Sequence, residues 1–331
     1  MLRLFILLTL TCSPCFAQGV NNIIYFNNID ARKSQDLSGD WRYSIDPYRV
    51  GQIGFHGTKA GDNALRYRDV NIDDEIAKNP KTFFEQDMDK APLMKLPGAW
   101  NSLKTELRYY DGLVWYRKNF KNIANKNERA FLHFDGANYL VKAYINGHLI
   151  GAHEGGFTAF SFEITDYLKP NDNKIDLEID CKHDEQSIPT PITDWDLYCG
   201  ITRPVKIIYT PSDFIENTKI TYKNGKIFGE VKINSKTSNP QNFNININEL
   251  NQKYLGKIEN NIGKFEFEAP KNLILWSPEN PKLYKIGFEI NGDKINDDIG
   301  FRTIEAKNNQ IYLNNTILLK NIELLPQLTL Q

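Results

Sequence analysis

From Arg129 to Asp180 the chain reverses repeatedly without ever sustaining a helical period. "RAFLHFDGA" leads into "YLVKAYINGHLIGAHEG", and "FSFEITDYLKPNDNKIDLEID" then supplies a strand, a Pro-Asn-Asp-Asn turn and another strand. Apolar and polar residues alternate within each piece, the pattern of strands with one buried face. Asn146-Gly147 is a strong dipeptide for a tight hairpin, because type I′ turns need positive φ at both central positions. An antiparallel all-β unit follows, and its length, from Val20 to Thr210, suits a jelly-roll sandwich.

A second series of strands begins near Lys219 and includes "KIFGEVKINSK", "NFNININEL", "GKFEFEA" and "LYKIGFEIN". Turns at regular spacing over this stretch predict a smaller, immunoglobulin-like β-sandwich. Pro211 to Glu216 reads as the linker between the two. The expected organisation is a first domain over residues 20–212, a second over 213–306, and a segment 307–331 that opens as a hairpin and ends in an apolar tail. The stretch from Val50 to Lys90 is polar, glycine-rich early and acid-rich late, and reads as an insertion loop with room for one short helix.

A chain of 331 residues is long enough for about two domains. Its 41% apolar and 24% charged residues fit ordinary globular folding. A net charge of −1 gives no electrostatic reason to expect nucleic acid or an anionic membrane as partner. The start, "MLRLFILLTLTCSPCFAQG", has one arginine, an apolar core from Leu4 to Leu10 and a small residue at Ala17, the features of a secretory signal peptide over residues 1–17. Export to the periplasm or the extracellular space is therefore expected. Lipid attachment through Cys12 or Cys15 is a weaker alternative, since neither follows the small residue such attachment needs. No other apolar stretch is long enough to span a membrane. Removal of the signal leaves Cys181 and Cys199, which stand either as a disulfide in an oxidising compartment or as two buried thiols.

The five histidines, at 56, 133, 148, 153 and 183, are scattered and form no spaced ligand set, so no metal is expected. No glycine-rich turn opens a helix to cradle phosphate, and no serine sits in a nucleophile elbow. What remains is aromatic and carboxylate density near loops: Trp100-Asn101, Tyr109 to Gly112, Trp115-Tyr116, and Asp194 to Tyr198. Carboxylates and amides bind sugar hydroxyls, and aromatic rings cover the C–H faces of sugars, so these residue types fit a carbohydrate site. They fit a sandwich core as well, and at least one of Trp115 and Tyr116 is expected to be core.

The order of motifs resembles the amino-terminal part of glycoside hydrolase family 2, the family of β-galactosidases, β-glucuronidases and β-mannosidases. "DLSGDWRYSID" resembles its opening strand, "LPGAWN" the following loop, and "YYDGLVWYRKNF" the segment with a Trp-Tyr pair before a basic residue. "AYINGHLIGAHEGG" resembles its Asn-Gly hairpin. "DWDLYCGITRPVKIIYTP" is similar to the Gly-Ile-x-Arg-x-Val signature that closes the sugar-binding domain. "WSPENPKLYKIGFEI" and "IGFRTIEAKNNQIYLNN" resemble the end of the second domain and the lead into the third. The resemblance implies a galactose-binding-like jelly roll followed by an immunoglobulin-like sandwich, a carbohydrate (β-glycoside) partner, no cofactor, and a homo-oligomer in the full-length form. It also implies that Asp194, six residues before Gly200, reaches a sugar, with Trp195 and Asp196 as further substrate-binding candidates. Gly200 and Arg203 take structural roles, a tight turn and a tie for the loop.

In that family two carboxylates about 5 Å apart carry out retaining hydrolysis, and they lie on a (β/α)₈ barrel. The resemblance ends after Lys320, where the chain reads "NIELLPQLTLQ". The catalytic barrel is accordingly expected to be missing here, through a frameshift or a truncated gene model, with no catalytic residue on this chain and no hydrolysis by it alone. A stand-alone carbohydrate-binding protein and an interaction sandwich without a sugar role are the alternatives.

Overall fold

The computed structural model describes residues 23–49, 51, 88–236 and 242–319. The expected signal peptide, nearly all of the stretch from Val50 to Lys90 and the tail after Leu319 lie outside the described residues.

Two antiparallel sheets make the first sandwich. One has five strands in the order Ile23–Ile24, Phe160–Glu163, Arg129–Phe134, Val205–Thr210 and Ser34–Asp36. The other has six, in the order Leu93–Leu96, Gly39–Ile45, Leu113–Lys121, Asp172–Asp180, Leu140–Ile145 and His148–Glu154. Their inner faces meet in one core, in which Leu132, Phe134, Phe160 and Ile207 of the first sheet pack with Tyr116, Val141, Leu177 and Ile179 of the second. The predicted hairpin is present: Ile145 pairs with His148, and Asn146 and Gly147 turn between them at φ 50° and 87°. Asn260-Asn261, Asn308-Asn309 and Asn314-Asn315 make the same kind of turn with both residues at positive φ. Asparagine is among the few side chains that tolerate this conformation, which is why it fills both positions of these turns.

Strand Leu113–Lys121 is buried almost continuously at its start, where simple alternation predicts one wet face. Both of its faces are covered. Tyr116 enters the main core, whereas Leu113 and Trp115 pack on the opposite side against Met88 and Tyr144. Trp115 and Tyr116 are therefore both core residues, each with no measurable exposure. On that outer side Arg117 lies beside Asp176 at 2.6 Å, both withdrawn from water.

The second sandwich is immunoglobulin-like. Seven strands run in the order Phe214–Lys223, Lys226–Asn234, Ile262–Glu268, Gln252–Glu259, Asn242–Ile247, Tyr284–Ile290 and Asp293–Ile299. Phe243, Ile245 and Ile247 point inward onto Ile286 and Phe288, and the intervening asparagines point away. The first strand starts earlier than the sequence suggests. Phe214 already pairs with Asn234, so Pro211–Asp213 alone separate the two strands. The reason lies in divided packing: Phe214 joins Ile24, Phe131 and Ile208 on the first sandwich, whereas the adjacent Ile215 enters the core of the second. A small three-stranded sheet, Ile304–Lys307, Gln310–Leu313 and Thr316–Leu319, follows.

Candidate functional site

The segment between strand Asp172–Asp180 and strand Val205–Thr210 carries the sequence-selected residues, and its two feet are joined. Cys181 and Cys199 form a disulfide with Cα atoms 5.5 Å apart, which decides between the two states left open by the sequence. Cys181 continues out of a central strand, and its amide donates to Gly112 O at 3.1 Å. The other foot is held from several sides. Asn101 Oδ1 accepts from the Cys199 amide at 2.9 Å, and the Trp100 amide donates to Cys199 O at 3.0 Å. Asn138 and Gly200 exchange two backbone hydrogen bonds of 2.8 Å, and Asn138 Nδ2 donates to Tyr198 O at 2.7 Å.

Gly200 is required by two circumstances. Its φ is +102°, and a Cβ there would come within 2.8 Å of the Trp100 ring and 3.0 Å of the Tyr116 hydroxyl. Arg203 ties the next turn to its neighbour, donating from Nη1 to Phe157 O at 3.1 Å. Both have the structural roles expected of them.

Between the feet the loop turns to water. Asp194, Trp195 and Asp196 are all exposed, Trp195 by 66%. Thr193 Oγ1 donates to Trp195 O at 2.8 Å, a bond local to the loop. Neither aspartate makes a hydrogen bond or ion pair with another described residue. The tip thus presents two acceptor groups and one indole face to solvent, the combination that suits a polyhydroxylated ring. Tyr198, 59% exposed, adds a second aromatic surface at the foot.

Trp100-Asn101 and Tyr110 gather at this foot, whereas Trp115 does not. Trp100 Nε1 and Asn101 Nδ2 both donate to Tyr110 O, at 2.9 and 3.3 Å. Burial pushes the Tyr110 phenol upward, and its hydroxyl donates to Leu113 O at 2.9 Å. Tyr109 faces water. Asn138 is the residue sequence reasoning passed over. Its signal is faint, an asparagine two positions after Gly136 where a turn residue looks sufficient. Among the described residues no cluster of three His, Cys, Asp or Glu side chains could hold a metal ion, and no helix is long and apolar enough to cross a membrane.

Comparisons with known proteins agree with this architecture. The sugar-binding-domain model of the glycosyl hydrolases family 2 matches residues 35–211, and the family's second model matches residues 212–302. A protein of Formosa agariphila, provisionally named a β-glucuronidase, is 32% identical over 243 residues, covering 67% of this chain and 29% of its own length. A β-galactosidase of Thermoanaerobacterium thermosulfurigenes is 30% identical over 309 residues, covering 86% of this chain and 39% of its own. The chain thus spans well under half the length of these curated relatives. Among solved structures, a β-glucuronidase from Ruminococcus gnavus in complex with D-glucuronic acid superposes with a TM-score of 0.65 at 23% identity, over 89% of this chain and 50% of that one. That likeness is one of fold.

Proposed function

The chain belongs to family 2 of the glycosyl hydrolases, and we propose that it serves as the amino-terminal sugar-holding part of an exported enzyme that hydrolyses the O-glycosidic bonds of β-glycosides. The observation that carries this reading is the exposed Asp194-Trp195-Asp196 tip on a loop whose feet are cross-linked and hydrogen-bonded. Asp194 accepts from sugar hydroxyls, Trp195 covers a C–H face, and Asp196 supplies a second acceptor. Bond cleavage belongs to a carboxylate pair on a domain beyond the two sandwiches, so these sandwiches alone bind sugar without cleaving it. The relatives named above act on glucuronides and galactosides by name, and both sugar classes are candidates here.

Titration of the chain with D-glucuronic acid and with D-galactose tests this reading. Saturable binding of either sugar that Asp194→Ala abolishes, with an unchanged unfolding midpoint, is the expected result. Equal binding by the variant and the parent chain would remove Asp194 from the site. The exposed indole of Trp195 favours a second reading, in which the chain binds carbohydrate without any catalytic role. Affinity for extended glycans far above that for single sugars would point there, as would an oligosaccharide footprint confined to the Trp195 and Tyr198 surfaces.

A further inference from the structure

We propose that Asn138 is a positioning residue that sets where Asp194, Trp195 and Asp196 stand, acting through the Tyr198 carbonyl and Gly200 and not through contact with sugar. The proposal rests on the reading of this loop as the sugar-holding element.

The loop is anchored very unevenly. Three consecutive residues, Tyr198, Cys199 and Gly200, are gripped by segments distant in sequence: Asn138 by side chain and backbone, Asn101 by side chain, Trp100 by backbone, and Cys181 through sulfur. Leu197 packs against the main core just before them. Upstream, the side-chain hydrogen bonds from Thr190 and Thr193 stay within the loop, to Ile192 O at 3.4 Å and Trp195 O at 2.8 Å. The direction in which residues 194–196 leave the surface is therefore set where the chain is first held, at Leu197 to Gly200.

Asn138 is suited to that task by what it cannot do otherwise. At 3% exposure it has no access to a ligand. Its Oδ1 is buried with no hydrogen-bond partner among the described residues, and it faces Gly156 so closely that a Cβ there would stand 2.3 Å away. A buried acceptor left unmade is costly, and an apolar side chain would avoid that cost. What the amide contributes in exchange is the Nδ2 bond to Tyr198 O. That bond, together with the paired backbone bonds to Gly200, fixes two alternate peptide units of the foot and so the orientation of the chain entering it.

Trp195 supplies a readout that does not depend on sugar. Trp41, Trp100 and Trp115 are buried to 1% exposure or less and Trp276 is half-buried, so acrylamide quenching of the full chain reports chiefly on Trp195 at 66% exposure. A Trp195→Phe chain assigns the signal. Asn138→Asp keeps the shape of the side chain and removes the donor. The expected result, in ligand-free protein, is a changed emission maximum and quenching constant for Trp195 with the near-ultraviolet dichroism of the buried tryptophans retained. Affinity for D-glucuronic acid should fall about tenfold, the loss that one buried hydrogen bond represents. A Trp195 signal identical to that of the parent chain would overturn the proposal. Because that signal is read without sugar, it judges Asn138 even where Asp194→Ala leaves affinity untouched, a result that would instead sink the sugar-holding reading. Hydrogen exchange on the unmutated chain gives a second judgement that needs no variant. The amides of Cys199 and Gly200, which donate to Asn101 Oδ1 and Asn138 O, should exchange slowly and those of 192–196 rapidly, and uniform protection across both stretches would equally reject the proposal.

Discussion

Arg32 and Asp293 are 261 residues apart in the chain and 3.2 Å apart in space, joining the two sandwiches through an ion pair whose side chains are only 3% and 8% exposed. The guanidinium also donates to Ile215 O and lies 5.5 and 5.6 Å from the Phe26 and Phe214 rings. Asp293 accepts from the Ile215 amide at 2.8 Å. Nearby, Asn27 Nδ2 donates to Thr218 O at 2.9 Å. Burial alone draws the Arg32 pKa down, and Asp293 opposes that shift. The pair thus spends its attraction on offsetting its own desolvation and on fixing the angle between the sandwiches.

Asp293→Asn leaves the Arg32 charge buried without its counter-charge and should cost about 3–5 kcal/mol of stability. Replacing both together, Arg32→Met with Asp293→Leu, should cost much less, because no buried charge is then left over. Urea unfolding of the three chains checks this. A single variant no less stable than the double one would show that the pair is not desolvated in solution.

Gly200→Ala combines a disfavoured backbone with a clash against Trp100 and Tyr116, and should lose about 1–3 kcal/mol from backbone strain before the clash is counted. Gly292 has a similar φ of +92°, but a Cβ there would meet nothing within 4 Å, so Gly292→Ala should suffer the backbone cost alone. Thermal midpoints of the two variants separate the effects. Equal losses would mean that the foot relaxes around the added methyl group without resistance from the aromatic pair.

The Cys181–Cys199 bridge closes a loop with a sequence separation of 18. By chain entropy, replacing both cysteines with serine should cost about 3 kcal/mol. Both sulfur-bearing residues are fully buried, so a reductant should act slowly on the folded chain and quickly once denaturant is present. Fast reduction without denaturant, followed by mass after alkylation, would contradict that placement.

His133 sits at 1% exposure with Ser161 Oγ at 2.8 Å from Nδ1 and Asp135 Oδ1 at 2.8 Å from Nε2. Burial lowers its pKa below the usual 6.5, against the attraction of Asp135 and Asp30, with Lys206 assisting the decrease. A histidine depressed in the folded state contributes stability that is full above its unfolded value. That stability is lost as pH falls from there through the folded value. His153, lowered by burial as well, acts in the same direction. Urea midpoints should therefore decline from about pH 7 toward about pH 5, and His133→Gln should flatten that decline. A midpoint that rises on acidification over this range would reverse the sign of the argument.

Much of this molecule is legible in local sequence. Period-two alternation, the Asn-Gly and Pro-Asn-Asp-Asn turns and the motif order are properties of neighbouring residues, and they determine an all-β chain of two sandwiches with Asp194 in the connecting loop. Where strand Leu113–Lys121 is covered on both faces, alternation is silent, because the cover comes from Met88 and Tyr144 outside the strand. The tertiary structure alone decided that Cys181 meets Cys199, that Phe214 and Ile215 divide between two cores, and that Arg32 finds Asp293. It also decided that Asn138 and Asn101 hold a foot lying 60 and 98 residues away. Such contacts depend on distances between segments that the chain brings together only after its strands have paired, and no local pattern encodes a distance across the fold.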